Sequence, residues 1–185
     1  MTAGRGAGYA LFGLAALLAA AAVASAWSGA SRLAAPGEDA AVRAAADAAA
    51  ASAAASAFVS AYGGFDYRDP DGYTARLAAL SSGELRDAIA RAAIDPAAAS
   101  GQLRSRADVR WVAVEALPGA AAEATVRSLQ VRSRMDPTTG RAASEEVTQQ
   151  VRLQLVREGG RWLVTEVVLL GEEPAGARGP GREGS

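Results

Sequence analysis

A change of hydrophobic period partway along the chain constrains its fold more than any other feature. Up to about residue 100 the apolar residues recur at helical spacing, and from Asp108 onward they alternate with a period of two. With all helices preceding all strands, the alternating βαβ order of a parallel sheet is unavailable. The remaining solution is an antiparallel meander whose apolar face is covered by the helices. The expected class is therefore α+β: an N-terminal transmembrane helix, then three helices packed on a curved four-stranded antiparallel sheet.

The segments can be placed by their punctuation. Glu38 and Asp39 open an Ala-rich helix that ends at Tyr62, before Gly63-Gly64. Its apolar weight falls late, on Phe58, Val59 and Tyr62, so its early part reads as a solvated stalk. Asp69 followed by Pro70 predicts an N-cap and a second helix to about Leu80. Ser81-Ser82-Gly83-Glu84 reads as a capping box starting a third helix to about Ala93, and Asp95-Pro96 repeats the cap for one more turn. Strands are predicted over 108–117, 121–135, 145–156 and 161–170, with turns at Pro118-Gly119, 136–140 and Glu158-Gly159-Gly160. In the second strand the apolar phase flips between Val126 and Leu129, which predicts a β-bulge near Ser128.

Residues 6–31 carry no charge, and the apolar heart, residues 9–27, is 19 residues long. At 1.5 Å per residue that is roughly 28 Å, close to the hydrocarbon thickness of a bilayer. Tyr9 and Trp27 stand at its ends, where amphipathic rings favour the headgroup level. The rival reading is a signal peptide cleaved after Ala26, in the small-x-small context Ala24-Ser25-Ala26. Either way the remainder is exported. The expected organisation is a cytoplasmic N-terminus at 1–8, the span at 9–27, linker and helical stalk at 28–50, one α+β domain at 51–170, and a Gly/Pro-rich disordered tail at 171–185. The expected location is the inner membrane, single-pass, with the main domain extracytoplasmic.

Composition removes whole classes of chemistry. There is no Cys and no His, and all 19 basic residues are Arg. Thiol and imidazole catalysis, Cys/His zinc sites, lysine Schiff bases and Walker-type phosphate loops are thereby excluded. A net charge of −1 supports no nucleic-acid partner. No cofactor, metal site or catalytic residue is assigned. The acids Asp66, Asp69 and Asp71 supply only a fragment of a calcium loop and read as helix caps.

The segments "AFVSAYGGFDYRDPDGYTARLAALSSGELRDAI" and "VRLQLVREGGRWLVTEVVLL" resemble the nuclear transport factor 2-like (cystatin-like, cone-shaped α+β) superfamily. They carry a helix ending in an aromatic pair, an acidic turn, a Y-x-x-R-L-x-x-L helix and a closing G-x-W-x-V strand. With one N-terminal span, the chain looks like Mce-associated membrane proteins, TcpC-type conjugation proteins and the inner-membrane scaffold subunits of type IV secretion systems. The resemblance implies a non-enzymatic scaffold of an envelope transport or secretion complex. Its partners would be the bilayer through residues 9–27, other envelope proteins and further copies of itself.

The alternative is an exported small-molecule binder or isomerase-like enzyme using the cone's cavity. Glu115 shares a strand phase with Val109, Trp111 and Ala113, and Glu166 with Trp162, Val164, Val168 and Leu170. If those phases face inward, the two carboxylates lie in a semi-apolar cavity suited to a general base. Tyr62, Tyr67 and Tyr73 are then donors, and Trp111 and Trp162 wall residues. The opposite phases are equally apolar, so outward-facing glutamates remain the competing reading. Residues 38–95 carry a net charge of −4 and residues 104–161 one of +3. This polarity marks Arg127, Arg132, Arg134 and Arg152 as candidates for a surface that meets an acidic partner.

Overall fold

The computed structural model describes residues 38–117, 120–136 and 138–175. The expected span at 9–27, its cleavage site, the linker at 28–37, the Pro118-Gly119 turn and the last ten residues of the tail lie outside the described residues. The order of elements is α1 (Glu38–Tyr62), α2 (Pro70–Ala79), α3 (Gly83–Arg91), α4 (Pro96–Ser100), β1 (Arg104–Leu117), β2 (Ala121–Met135), β3 (Ala142–Glu158) and β4 (Arg161–Pro174). The four strands form one antiparallel sheet in the order β1-β2-β3-β4, the expected meander.

Helix α1 crosses the inner face of the sheet, mainly over β1 and β2. Its buried residues Ala51, Ala55, Phe58 and Val59 fall at i, i+4, i+7 and i+8, one helical stripe. Alanine is small, and β2 answers with Ala122 and Ala124, so the helix can lie close to the sheet. Its earlier turns are mostly exposed, and Asp47 pairs with Arg157 of β3 at 2.7 Å. Within α1, residues 40–62 are long and apolar enough to cross a membrane by length and composition. Its C-terminal half, however, supplies the core of the domain. The helix stops where Gly63 comes against β1: a Cβ there would collide with that of Ala107.

Helix α3 packs on β4, and α2 packs on α3 and α1. Asp69 caps α2 by accepting from the Gly72 amide at 3.1 Å, and Asp95 caps α4 by accepting from Ala97 at 2.8 Å. The expected capping box of α3 is replaced by one bond back into α2 and one to β3. Ser81 Oγ donates to Leu77 O at 2.7 Å, and Ser82 Oγ donates to Glu158 Oε1 at 2.6 Å. Both serines are buried at the turn between α2 and α3, which pairs with β4: the Ser82 amide donates to Val164 O, and the Val164 amide to Leu80 O, at 2.9 and 3.0 Å. The hydroxyls serve this packing rather than the helix end.

Three strand readings need correction. The phase flip in β2 is not a bulge of that strand: Ala122, Ala124, Val126, Ser128 and Gln130 are buried in unbroken alternation. Two polar residues take inner positions, and the extra residue sits opposite them, where the register of β1 shifts between Val109 and Trp111. Strand β4 has two further shifts against β3, at Thr165 and Leu170. It also runs past Leu170 to Pro174, so Gly171–Pro174, assigned above to a disordered tail, are strand. The β3–β4 turn is the expected tight one, with Gly159 and Gly160 at φ +56° and +82°; paired positive φ values suit the twist of a two-residue hairpin.

Candidate interaction site

Cross-strand partners share a face of the sheet, so the register resolves the inner face into rows. At the end toward the β3–β4 turn the rows are apolar: Ala122, Leu155 and Val164; Val114, Ala124, Leu153 and Val167; Val112, Val126, Val151 and Leu169. Phe58, Leu77, Leu85 and Ile89 pack into this end. At the opposite end the rows turn polar. One holds Val109, Ser128, Gln149 and Glu172, the next Ala107, Gln130, Val147 and Pro174, and the last Ser105, Arg132 and Glu145.

The polar rows are tied into one network around Arg132, whose side chain is only 11% exposed. Its guanidinium forks onto Glu172 at 2.9 and 2.7 Å and donates from Nε to Gln130 Oε1 at 2.8 Å. Glu145 lies 3.6 Å away. Gln130 in turn donates to Gly63 O at 3.3 Å, fastening the end of α1 to β2, and Gln149 donates to Glu172. A bidentate guanidinium–carboxylate pair is the arrangement able to hold a largely buried arginine. The hydrogen bond from Arg132 holds Glu172 below the ordinary glutamate range, against the opposing effect of its partial burial. Beside this network a cavity of about 140 Å³ is lined by Leu103, Ser105, Arg132, Arg134, Ala143, Ser144 and Glu145. Small-molecule sites usually enclose about 300–1,000 Å³.

Tyr62 and Tyr73 are brought together here. The Tyr73 hydroxyl donates to Tyr62 O at 3.0 Å, Phe58 stacks on Tyr62, and Phe65 meets Tyr73 edge to face. Burial raises both phenols; Arg132 opposes the rise at Tyr62, and Tyr62 adds to it at Tyr73. Trp162 also turns inward and packs on the core, its Nε1 buried without a partner among the described residues.

The other candidates are elsewhere. The bulge in β1 separates Val109, on the inner face, from Trp111, Ala113 and Glu115, on the outer one; Trp111 is 42% exposed. The bulge at Thr165 likewise parts Glu166 from Trp162 and Val164 and sets it beside Gln154 on the outer face. Glu115, Glu123, Gln154 and Glu166 form one outer row, with Glu115 directly opposite Glu123. Arg152 and Arg127 follow in the next two outer rows, both exposed. Arg134 is exposed at the rim of the small cavity, whereas Arg132 turns inward. The tyrosines and the outer glutamates thus occupy opposite faces. The residues not anticipated are Gln130, Gln149 and Glu172. Ser128 and Gln130, alternating polar positions in register with Ala124 and Val126, were their only trace in the sequence.

The geometry describes a small α+β domain with an apolar core at one end of the sheet, a mixed outer sheet face, and at the other end a hydrogen-bonded polar network beside a small cavity, where Ser128 Oγ is buried without a partner among the described residues. No family model matches the chain, and no curated protein does. Among solved structures, the chain is similar to an Ntf2-like protein involved in plasmid conjugation, at 12% identity and TM-score 0.48, covering 73% of this chain and 53% of that one. It therefore spans about half the length of that protein. It is also similar to CagV, a VirB8 homologue of the type IV secretion system of Helicobacter pylori, at 13% identity and TM-score 0.48, covering 65% and 96%. A third is an IcmL-like type IV secretion system protein of Legionella pneumophila, at 13% identity and TM-score 0.49, covering 70% and 94%. The likeness is one of fold.

Proposed function

We propose that the chain is a membrane-anchored, non-enzymatic accessory subunit of an envelope transport or secretion complex, and that its extracytoplasmic domain acts by binding other proteins. The observation that carries this reading is how little space the inner face leaves for a ligand. Helix α1 and the apolar rows fill one end, and the Arg132–Glu172 network occupies the other, beside a cavity of only about 140 Å³. What remains available is mainly outer surface, where Trp111, Arg127 and Arg152 are exposed on one side of the sheet. Aromatic and arginine side chains are the types enriched at protein interfaces. Residues 9–27 supply the anchor in this reading.

Two measurements test it. Fractionation with intact mass should find the uncleaved chain in the membrane, resistant to carbonate; a soluble product beginning at Trp27 overturns the anchor. A photo-crosslinker in place of Trp111 or Arg152 should then capture a defined envelope protein, while one in place of Ala88, on the outside of α3, should not. Equal capture from both places, or none from either, overturns the binding role of the outer face.

A further inference from the structure

The sheet has two edges, and they are finished differently. The β1 edge is partly covered at its start, where the Ser105 amide donates to Phe65 O at 2.7 Å and the Tyr67 amide to Leu103 O at 3.0 Å. Beyond that it carries Arg106, Asp108, Arg110 and Glu115, and it is bulged at Arg110. Charge and bulging are the usual protections of an unpaired edge. The β4 edge is bulged as well, at Thr165 and Leu170, and among the described residues the α2–α3 turn covers it at Val164; what sets it apart is the lack of charge. Past Glu166 it shows five consecutive uncharged residues, Val167, Val168, Leu169, Leu170 and Gly171. Leu169 and Leu170 are 47% and 46% exposed, among the most exposed large apolar residues of the described chain.

We propose that residues 166–173 of β4 receive an extended segment of a partner protein as a fifth strand, and that this segment has an uncharged centre and basic ends. This rests on the reading of the domain as a protein-binding module. Main-chain bonds to the open edge would supply affinity, and the exposed leucines would supply apolar contact. The charge pattern selects the occupant. From Trp162 to Ala175 every charged residue is a glutamate: Glu166 before the uncharged run, Glu172 and Glu173 after it. A second copy pairing antiparallel about Leu169-Leu170 would set Glu166 against Glu173, both on the outer face, and like charges directly opposite are destabilising. The chain's own residues 176–185 include Arg178 and Arg182, but four glycines and Pro180 among ten residues make a poor strand. A basic-ended segment from another protein avoids both penalties.

The test uses the full chain in detergent micelles and two blocked hexapeptides, Arg-Val-Thr-Val-Thr-Arg and Glu-Val-Thr-Val-Thr-Glu. Hydrogen exchange over 166–173 should slow with the arginine peptide and be about tenfold less affected by the glutamate peptide. N-methylation of the amides along one edge of the peptide should abolish the effect, and methylation along the other edge should leave it. The variant Glu166→Arg/Glu173→Arg should reverse the preference, a gain that misfolding cannot imitate. Equal protection by both peptides overturns the proposal, as does protection confined to another strand. Slow exchange at this edge in the free chain, from a second copy or the chain's own tail, also overturns it. If the double variant still captures its envelope partner undiminished, the edge proposal fails while the binding role of the domain stands.

Discussion

The two ends of the inner face are made by the same strands, in the same alternation, and differ only in what occupies the inward positions. At one end Leu153, Leu155 and Val164 are fully buried against Phe58 and Leu77. At the other, Gln130, Arg132, Gln149 and Glu172 hold one another by hydrogen bonds. The first end is stabilised by apolar area removed from water, which needs no particular partner. The second is stable only while every member is satisfied, because a buried polar group without a partner costs far more than its bond returns. The difference separates the part of the interior that makes the fold from the part that makes it particular.

The largest expected effect is at the apolar end. Leu153→Ala should cost about 2–5 kcal/mol in chemical denaturation, through lost transfer energy and the cavity left behind. A loss below about 1 kcal/mol would mean that this end is less tightly packed than its burial implies. At the polar end Arg132→Met should cost about 1–3 kcal/mol, since it leaves Gln130 and Glu172 without their partner. Replacing Arg132, Glu172 and Gln130 together by Met, Leu and Leu should recover most of that loss, because an apolar set of similar volume has no charge to desolvate. Failure to recover would show that the network shapes the fold rather than merely satisfying itself.

The ends should also differ in pH response. Glu172 titrates below the ordinary glutamate value of 4.5 in the folded chain, held there chiefly by Arg132. A depressed folded value contributes stability that is complete above the unfolded value and is lost as the pH falls through the folded one. Thermal melts should therefore weaken as the pH drops below that range, and Arg132→Met should flatten the slope. Leu153→Ala should lower the curve without changing its slope. Smaller again is Tyr73→Phe, which removes the bond to Tyr62 O and should cost about 1 kcal/mol. The smallest lies on the outer face, where Glu123→Gln relieves the opposition to Glu115 and should gain about 0.2–1 kcal/mol. A loss there would indicate that the outer glutamates are held by a partner.

The class of the fold was legible in the sequence because periodicity is local. The switch from 3.6 to 2, the Asp-Pro caps and the paired glycines each act within a few residues, and α1, α2, β2 and the β3–β4 turn lie where these signals put them. Positions of the candidate residues were legible unevenly. Helical spacing places Tyr62 and Tyr73 on the apolar faces of their helices, but their contact with each other forms only in the folded chain. The phases of Trp111, Glu115 and Glu166 could not be set, because a single extra residue in a strand turns every later side chain to the other face. Arg110, Thr165 and Leu170 are such residues, and nothing in their own chemistry marks them.

The sequence by itself determined the elements, their order and the antiparallel meander, since these follow from propensity, capping and turn chemistry along the chain. Only the tertiary structure decided which strand phase is the inside, that Gln130 and Arg132 belong there, and that Gly171–Pro174 continue β4 to bring Glu172 to Arg132. The physical reason is that a buried charge is tolerable only beside its partner, and that partner lies 40 residues away in the chain.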